Sequence, residues 1–185
     1  MRIIVETDFA DVQRKLDLLQ SDIAIKVAAR SINRAIEQAR TQMSREITRE
    51  YVIDSRFVKD RLRIRRATFR QGMLNIEASL GANSKPRSAN LIRFGARQVK
   101  GGVSVKIRRA GGRKVIQGAF IGNKGRTVFR RVGAKRLPIV PVQTINVPSM
   151  FNARRINEVV VATMRRRFPD IFEHELAYEL GQFNR

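Results

Sequence analysis

From Phe9 to Tyr51 the chain contains neither glycine nor proline, and this stretch favours helix over every other structure. Its apolar residues recur three or four positions apart, as they do on one face of a helix. They are Phe9, Val12, Leu16, Leu19 and Ile23, followed by Ala28, Ile32, Ala35, Ile36, Ala39, Met43 and Ile47. The pattern predicts a short helix to about Gln20 and a long second helix to about Glu50, which Ser21 and Asp22 cap.

Short patterns on either side of this helical arm indicate strands. The apolar run from Arg2 to Glu6 predicts one strand at the start of the chain. After the arm, Asp54 and Ser55 are typical of a helix start, and residues 61–66 alternate as the chain leads into a strand. Polar and apolar residues alternate again over 74–80, which predicts one half-buried strand before a loop at 81–88.

The region 89–147 is punctuated by glycine and predicts antiparallel strands. We expect one strand at 103–109, where polar and apolar residues alternate, and two more strands at 115–121 and 127–132. The segment Gly122–Gly125 between the last two strands is a strong hairpin signal. Proline cannot donate a hydrogen bond to a neighbouring strand, so the two prolines of 137–142 restrict it to an edge strand or an extended crossing segment.

Helical spacing returns near the carboxyl end of the chain. Ser149 is a plausible N-cap for a helix that runs to about Arg167. Phe168, Pro169 and Asp170 are expected to break it, because proline lacks the backbone donor that a helix interior needs, and a last helix then runs to about Gly181. The fold class is therefore α+β. We expect one structural domain with arms: a strand and helical arm at 1–55, a basic β-rich body at 56–148 with basic hairpin loops, and carboxyl-terminal helices at 149–185.

The positive charge of the chain is concentrated in its middle. The formal net charge is +22, from 38 Lys and Arg against 16 Asp and Glu. Residues 56–136 hold 23 Lys and Arg with only Asp60 and Glu77, a net +21, whereas 1–55 is neutral and 137–185 has a net +1. Self-repulsion of this size works against a compact monomer alone in water, so we expect a polyanion or an acidic partner.

Composition excludes several classes of protein. With no Cys there is no disulfide framework, thiolate metal site or Cys nucleophile. The sequence has no run of 18 apolar residues, so we expect no membrane span, and its start is too short and polar for a signal peptide. These features indicate a protein made and kept in a reducing cytoplasm, or assembled there into something larger.

Catalytic signals are weak. His174, the one histidine, lies among Asp170, Glu173, Glu175 and Glu179. A metal site would need a second strong ligand at helical spacing, which Glu173 and Glu175 do not supply, so we interpret His174 as an exposed helical residue. A nuclease would need clustered carboxylates for a metal, and the basic middle offers only Asp60 and Glu77, far apart. We therefore expect no enzyme activity, no cofactor and no metal.

Three groups of basic residues in the middle of the chain are candidates for polyanion contact or for an assembly interface. Arg61, Arg63 and Arg65 would form a one-sided stripe on a strand, with Arg66 after them. A basic hairpin carries Arg108, Arg109, Arg113 and Lys114, and further candidates are Lys124, Arg126, Arg130 and Arg131. The charge could instead only add solubility.

Aromatic residues do not support sequence-specific readout. Two Tyr and no Trp are present, and few aromatics interleave with the basic residues, so no base-stacking platform is evident. Any nucleic-acid contact should be with the backbone and therefore sensitive to salt. We interpret Phe120, Phe129, Phe151, Phe168 and Phe172 as core residues.

The order of several short motifs resembles a known family. A helix rich in Ala and Arg (28–35) precedes the basic stretch ending at Thr68, and a Gly-rich basic hairpin follows. Then come Gly118, Ala119, Phe120 and Ile121; Phe129, Arg130, Arg131, Val132 and Gly133; and Leu137 with Pro138. Over about residues 20–170 this order is similar to the minor tail protein Z family of tailed bacteriophages and prophages. Each motif alone is weak evidence for the family, but their combination is specific. We interpret them as structural signature positions.

The resemblance implies a structural virion protein that completes the tail at its head-proximal end, joins tail to head, and lines or flanks the DNA channel. The implied partners are further copies of the chain in a ring, with six copies as the number that tail symmetry offers, a tail terminator or other neck or tail protein, and phage genomic DNA bound through its backbone. The alternative is a cytoplasmic basic protein that binds nucleic acid without sequence preference, as ribosomal or architectural proteins do.

Overall fold

The structure, a computed structural model, describes residues 2–3, 14, 21–70, 73–75, 77–82 and 89–183. Its helices are α1 (Ser21–Glu50), α2 (Ser55–Lys59), α3 (Val147–Phe151) and α4 (Arg154–Phe183), with a 3-10 turn at Leu91–Phe94. Its strands are β1 (Arg2–Ile3), β2 (Leu62–Arg65), β3 (Thr68–Arg70), β4 (Met73–Asn75), β5 (Ser79–Ala82), β6 (Arg97–Val99), β7 (Gly102–Val105), β8 (Lys114–Gln117), β9 (Ala119–Gly122), β10 (Thr127–Arg131) and β11 (Ile139–Pro141). The pairs β1–β5, β3–β4, β6–β7, β7–β8, β9–β10 and β10–β11 are antiparallel, and the α+β class and the long amino-terminal helix are confirmed.

The chain forms two compact units from discontinuous segments. The first, which we name the helical unit, consists of Met1–Met43, Leu62–Gly81 and Arg154–Arg185. The second, which we name the basic unit, consists of Ser44–Arg61 and Ala82–Ala153. Helix α1 therefore contributes its first 23 described residues to the helical unit and its last seven to the basic unit. The division into a helical arm at 1–55, a basic body at 56–148 and carboxyl-terminal helices at 149–185 stays a prediction.

Apolar packing between α1 and α4 builds the core of the helical unit. Val27 of α1 and Phe168 and Phe172 of α4 are buried together. Partly buried apolar side chains surround them, namely Ile23, Ile32, Ala35 and Leu176. Ion pairs between Arg30 and Glu179 and between Arg34 and Glu175 join the same two helices. The helical spacing of apolar residues in both segments is thus explained by one shared core.

Helix α4 continues through Pro169, so the predicted break at 168–170 is wrong. Proline at this position removes one backbone hydrogen bond, to the carbonyl of Arg165. The buried residues Met164, Phe168 and Phe172 nevertheless follow one helix face on both sides of the proline. Packing of this continuous apolar face outweighs the loss of one hydrogen bond.

The start of the carboxyl-terminal helices also differs from the prediction. Asn146, not Ser149, is the N-cap, and its side chain accepts a hydrogen bond from the backbone N–H of Ser149. It begins the short helix α3, and Pro148 lies in the first turn of that helix, where proline fits. Helix α4 begins separately at Arg154.

Two predicted strands are each divided between sheets. The predicted strand 115–121 ends at Gly118, whose φ of +68° turns the chain from β8 into β9. The predicted strand 74–80 is divided into β4, which pairs with β3, and β5, which lies between β1 and β2. Within the predicted loop 81–88, Gly81 and Ala82 belong to β5. The predicted short helix before Gln20, apart from Arg14, and residues 83–88 lie outside the described residues.

The basic unit contains two three-stranded sheets, in the orders β6-β7-β8 and β11-β10-β9. Strand β7 is buried along its length, and Gly102 within it is closely approached. A Cβ atom on Gly102 would lie 2.2 Å from the carbonyl oxygen of Ile116. The predicted hairpin at 122–125 is confirmed, since Asn123 and Lys124 both have positive φ between β9 and β10.

A side-chain amide bridges backbone segments in each unit. In the basic unit, Asn90 donates to the carbonyl of Val128 at 3.1 Å and accepts from the N–H of Val128 at 2.9 Å. In the helical unit, Asn33 of α1 donates to the carbonyl of Ala67 at 3.0 Å and accepts from its N–H at 2.8 Å. Each amide therefore satisfies both polar groups of one residue, as a neighbouring strand would.

Candidate polyanion and assembly surface

The excess positive charge belongs mainly to the basic unit. That unit contains 21 Lys and Arg against four Asp and Glu, a net +17, whereas the helical unit has 17 against 12, a net +5. The contrast is sharpest over residues 78–157, which contain 18 Lys and Arg and no Asp or Glu. A stretch of this composition has no internal carboxylates with which to neutralise its cations.

The four carboxylates of the basic unit, Glu46, Glu50, Asp54 and Asp60, all lie in or beside α1 and α2. Glu46 is 3.9 Å from Arg49 and Glu50 is 4.0 Å from Arg108. The side chain of Asp54 caps α2 by accepting from the N–H of Phe57 at 3.0 Å. Four carboxylates cannot neutralise 21 cations, so most of the cations of this unit interact instead with solvent, with carbonyl groups or with a partner.

Arg61 and Arg93 meet around one aromatic ring. The guanidinium carbon of Arg61 lies 3.5 Å from the centre of the Phe57 ring, and that of Arg93 lies 5.0 Å from it. Burial, and then the charge of Arg93, lower the pKa of Arg61, which Asp60 partly offsets. Two guanidinium groups beside one ring, whose charges act on each other, make this a locally positive region that attracts an anion such as a phosphate group. Arg93 was missed from the sequence because only the fold brings it to Phe57.

The predicted stripe at 61–66 is shorter than expected. Strand β2 begins at Leu62, and it exposes Arg63 and Arg65 while Leu62 is buried. Arg61 precedes the strand and lies over Phe57. Arg66 follows the strand and forms an ion pair of 2.5 Å with Glu37 of α1. On the described residues, Arg63 and Arg65 are therefore the pair that one strand face presents to solvent.

The basic hairpin at 108–114 is mostly tied to its own unit. Arg108 lies 5.8 Å from the centre of the Tyr51 ring, and Arg109 donates to the carbonyl of Thr48 at 2.8 Å. Arg113 donates to Ser104 Oγ at 2.9 Å and to the carbonyl of Gly95 at 2.6 Å. Three of the four predicted cations thus order the unit, and Lys114 is exposed on β8.

The remaining predicted cations lie on the sheet of β9, β10 and β11. Lys124 and Arg126 are exposed at the turn between β9 and β10. Arg130 and Arg131 are exposed at the end of β10. They begin a segment that we name the arm, residues 130–141, in which all twelve residues are exposed. It consists of the end of β10, the following turn and β11.

The expected burial of five phenylalanines holds for three of them. Phe151, Phe168 and Phe172 are buried. Phe120 and Phe129 are only half-buried on one face of the β9–β10–β11 sheet, with their ring centres 6.0 Å apart. Arg131 lies 5.1 Å from the centre of the Phe120 ring. This face therefore combines aromatic and cationic groups, whereas Phe120 and Phe129 were predicted to lie in the core.

The signature positions of the resemblance come together in this same sheet. Gly118 immediately precedes it, Ala119–Ile121 form most of β9, and Phe129–Arg131 end β10. Val132, Gly133, Leu137 and Pro138 lie in the arm. Motifs separated by up to twenty residues in sequence thus lie close together in one sheet and the arm that extends from it.

Other kinds of site find little support in the described part of the chain. His174 is exposed on α4, as expected. Across the described ranges no three His, Cys, Asp or Glu side chains are grouped so that they could hold a metal ion. None of the helices described is both long and apolar enough to cross a membrane.

Comparison with known proteins gives one match. The family described as prophage minor tail protein Z matches residues 10–185, all but the first nine residues. No curated protein and no solved structure matches the chain.

Proposed function

Since the chain belongs to the prophage minor tail protein Z family, and is thus a structural protein of the phage tail, we propose that it completes the tail at its head-proximal end. There it joins tail to head, beside a tail terminator or another neck or tail protein. Its place is the virion, after synthesis in the host cytoplasm. The family match over residues 10–185 is the observation that carries this role.

We propose further that the basic unit faces the DNA that passes through the tail. Duplex DNA presents about one negative charge per 1.7 Å of its axis, so a lining of cations is favourable there. Residues 82–153 of this unit, with 16 Lys and Arg and no carboxylate, have the composition for this contact. The guanidinium groups of Arg61 and Arg93, both beside the Phe57 ring, form a candidate phosphate contact within the same unit.

The copies form a ring around the tail axis in this proposal. Six copies would together carry a formal charge of +132, since each carries +22. Repulsion of that size in a narrow ring requires DNA or acidic neighbouring rings to neutralise it. In a ring, the charge of the basic unit would bind DNA or acidic neighbouring rings rather than only increase solubility.

The tail role is tested by deleting the gene from a phage or inducible prophage that carries it. We expect filled heads and separate tails in electron micrographs and a titre several orders of magnitude below wild type, with rescue by the intact gene in trans. Mass spectrometry of purified wild-type particles should detect the protein. Normal infectious particles after deletion would overturn the proposal, and absence from purified particles would favour a cytoplasmic nucleic-acid-binding protein.

The DNA contact is tested separately with the purified protein and a short duplex. Each phosphate contact contributes about 0.9 to the slope of log affinity against log salt concentration. The double variant Arg61→Gln/Arg93→Gln should therefore lower that slope by about two. Arg165→Gln/Arg166→Gln, which removes two exposed charges from α4, is the matched control and should leave the slope unchanged. Equal slopes for both variants would show that Arg61 and Arg93 do not contact phosphate.

A further inference from the structure

The arm exposes large apolar side chains on both of its faces. Leu137 and Val132 keep 66% and 61% of their surface in solvent, and Val140 and Ile139 keep 43% and 37%. Arg130 pairs with Val140, and Arg131 pairs with Ile139. Because neighbouring residues of a strand point to opposite faces, Val140 and Ile139 lie on opposite faces of the arm. Apolar groups exposed in this way mark a surface that another molecule covers.

The charge of the arm constrains what covers it. Residues 130–141 contain Arg130, Arg131, Lys135 and Arg136 and no Asp or Glu. A complementary surface must therefore offer apolar contact together with carboxylates. Pro141 lacks the backbone donor that β11, the edge strand of its sheet, would offer to an added strand, so the contact is made by side chains.

The carboxyl-terminal half of α4 has the complementary character. Residues 168–183 contain four Asp and Glu and no Lys or Arg. Glu175 and Glu179 pair with α1, whereas Asp170 and Glu173 lie on another face of the helix. Asp170, Glu173, Ala177 and Leu180 are all exposed, and they follow one another at intervals of three and four residues. That spacing places them on one helix face. Leu180 keeps 39% of its surface in solvent, so the face combines carboxylates with an apolar group.

We propose that the arm of one copy docks on this face of α4 in a second copy of the chain. The proposal rests on the ring proposed above and names the contact that builds it. Arm and α4 face are different surfaces, so the contact is heterologous, and repeated contacts of this kind close into a ring when the rotation between copies allows it. Local pairing of Arg and Lys with Asp and Glu offsets the repulsion between two copies of like net charge.

The absence of Cys from the chain makes a direct cross-linking test available. One sample carries Leu137→Cys in the arm, and the other carries Ala177→Cys on α4. When the two are mixed and oxidised, we expect at least tenfold more disulfide-linked dimer than in either sample alone. The matched control is Leu137→Cys mixed with Ala162→Cys, which is exposed on α4 four turns before Ala177 and should give no such increase.

A charge-reversal experiment tests the same contact without cysteine. Arg130→Glu and Asp170→Arg should each weaken self-association by at least tenfold in sedimentation velocity. The double variant should recover to within threefold of wild type, because the pair is restored with its signs exchanged. Circular dichroism of each variant shows that it is folded. Failure of the double variant to recover would overturn the pairing of these two surfaces.

The outcomes separate this contact from the ring itself. If wild type forms a closed oligomer but the Leu137→Cys and Ala177→Cys samples do not cross-link, the contact is wrong and the ring stands. If they cross-link but no closed oligomer forms, the contact stands and the ring is wrong. Dimers of Leu137→Cys alone would indicate an arm-to-arm contact, and a link from this cysteine to another tail protein in purified particles would indicate an acidic neighbour; either overturns the proposal. A monomer without cross-links overturns both contact and ring.

Discussion

Replacing Asn90 with alanine tests whether one side-chain amide stabilises the basic unit. Its oxygen accepts from the N–H of Val128 at 2.9 Å and from the N–H of Ile92 at 3.1 Å. Its nitrogen donates to the carbonyl of Val128 at 3.1 Å. Alanine removes all three hydrogen bonds and adds no new polar group.

The size of the effect follows from what each group loses. Val128 is fully buried, so its N–H is left without a partner, at a cost of about 1–3 kcal/mol. Its carbonyl still accepts from the N–H of Val142 at 2.8 Å, so little is lost there. Loss of the cap on the 3-10 turn at Ile92 adds about 1 kcal/mol. We therefore expect the free energy of unfolding to fall by about 2–4 kcal/mol, out of a typical 5–15 kcal/mol for a protein domain.

Urea denaturation followed by circular dichroism measures this change. The matched control is Gln143→Ala, an exposed side chain on the backbone segment that pairs with Asn90. It should change the free energy of unfolding by less than about 0.5 kcal/mol. If Asn90→Ala unfolds at the same urea concentration as Gln143→Ala, the amide does not stabilise the unit and the reasoning is refuted.

Three further predictions concern stability and use the same measurement. Gly102→Ala places a Cβ atom 2.2 Å from the carbonyl oxygen of Ile116 and should cost about 2 kcal/mol or more, whereas Gly112→Ala, with open space around it, should cost less than about 1 kcal/mol. Pro169→Ala restores a backbone donor inside α4 and should raise the free energy of unfolding by about 1–2 kcal/mol; a decrease would show that α4 needs the proline. Glu175→Gln removes the ion pair with the half-exposed Arg34 and should cost less than about 1 kcal/mol, an effect that 1 M salt should abolish.

Local patterns were sufficient to predict the elements whose causes are local. The bounds of α1 agree with the prediction because thirty residues keep one apolar face without Gly or Pro. The turn at 122–125 was predicted because glycine flanks Asn123 and Lys124, which take φ of 50° and 53°. The cap of α2 was also predictable, because Asp54 and Phe57, which form it, are only three residues apart.

The features that escaped prediction depend on distant contacts. The continuity of α4 through Pro169 depends on burial of Phe168 and Phe172 against Val27, about 140 residues earlier. The position of Arg93 depends on the Phe57 ring, which lies far from it in sequence. The intramolecular bonds of Arg113 depend on the pairing of β7 with β8. Charge counting located the basic segment, but it could not separate cations that order the unit from those that face solvent.

The carboxylate-free stretch has a consequence for how its contacts respond to acidity. Residues 78–157 contain no Asp, Glu, His, Cys or Tyr. Lys and Arg side chains in water keep their protons up to about pH 10. Any pH dependence of its binding must then originate in the partner. A contact with DNA phosphates should persist at pH 4, whereas a contact with protein carboxylates should weaken there, so acidity alone distinguishes the two kinds of neighbour.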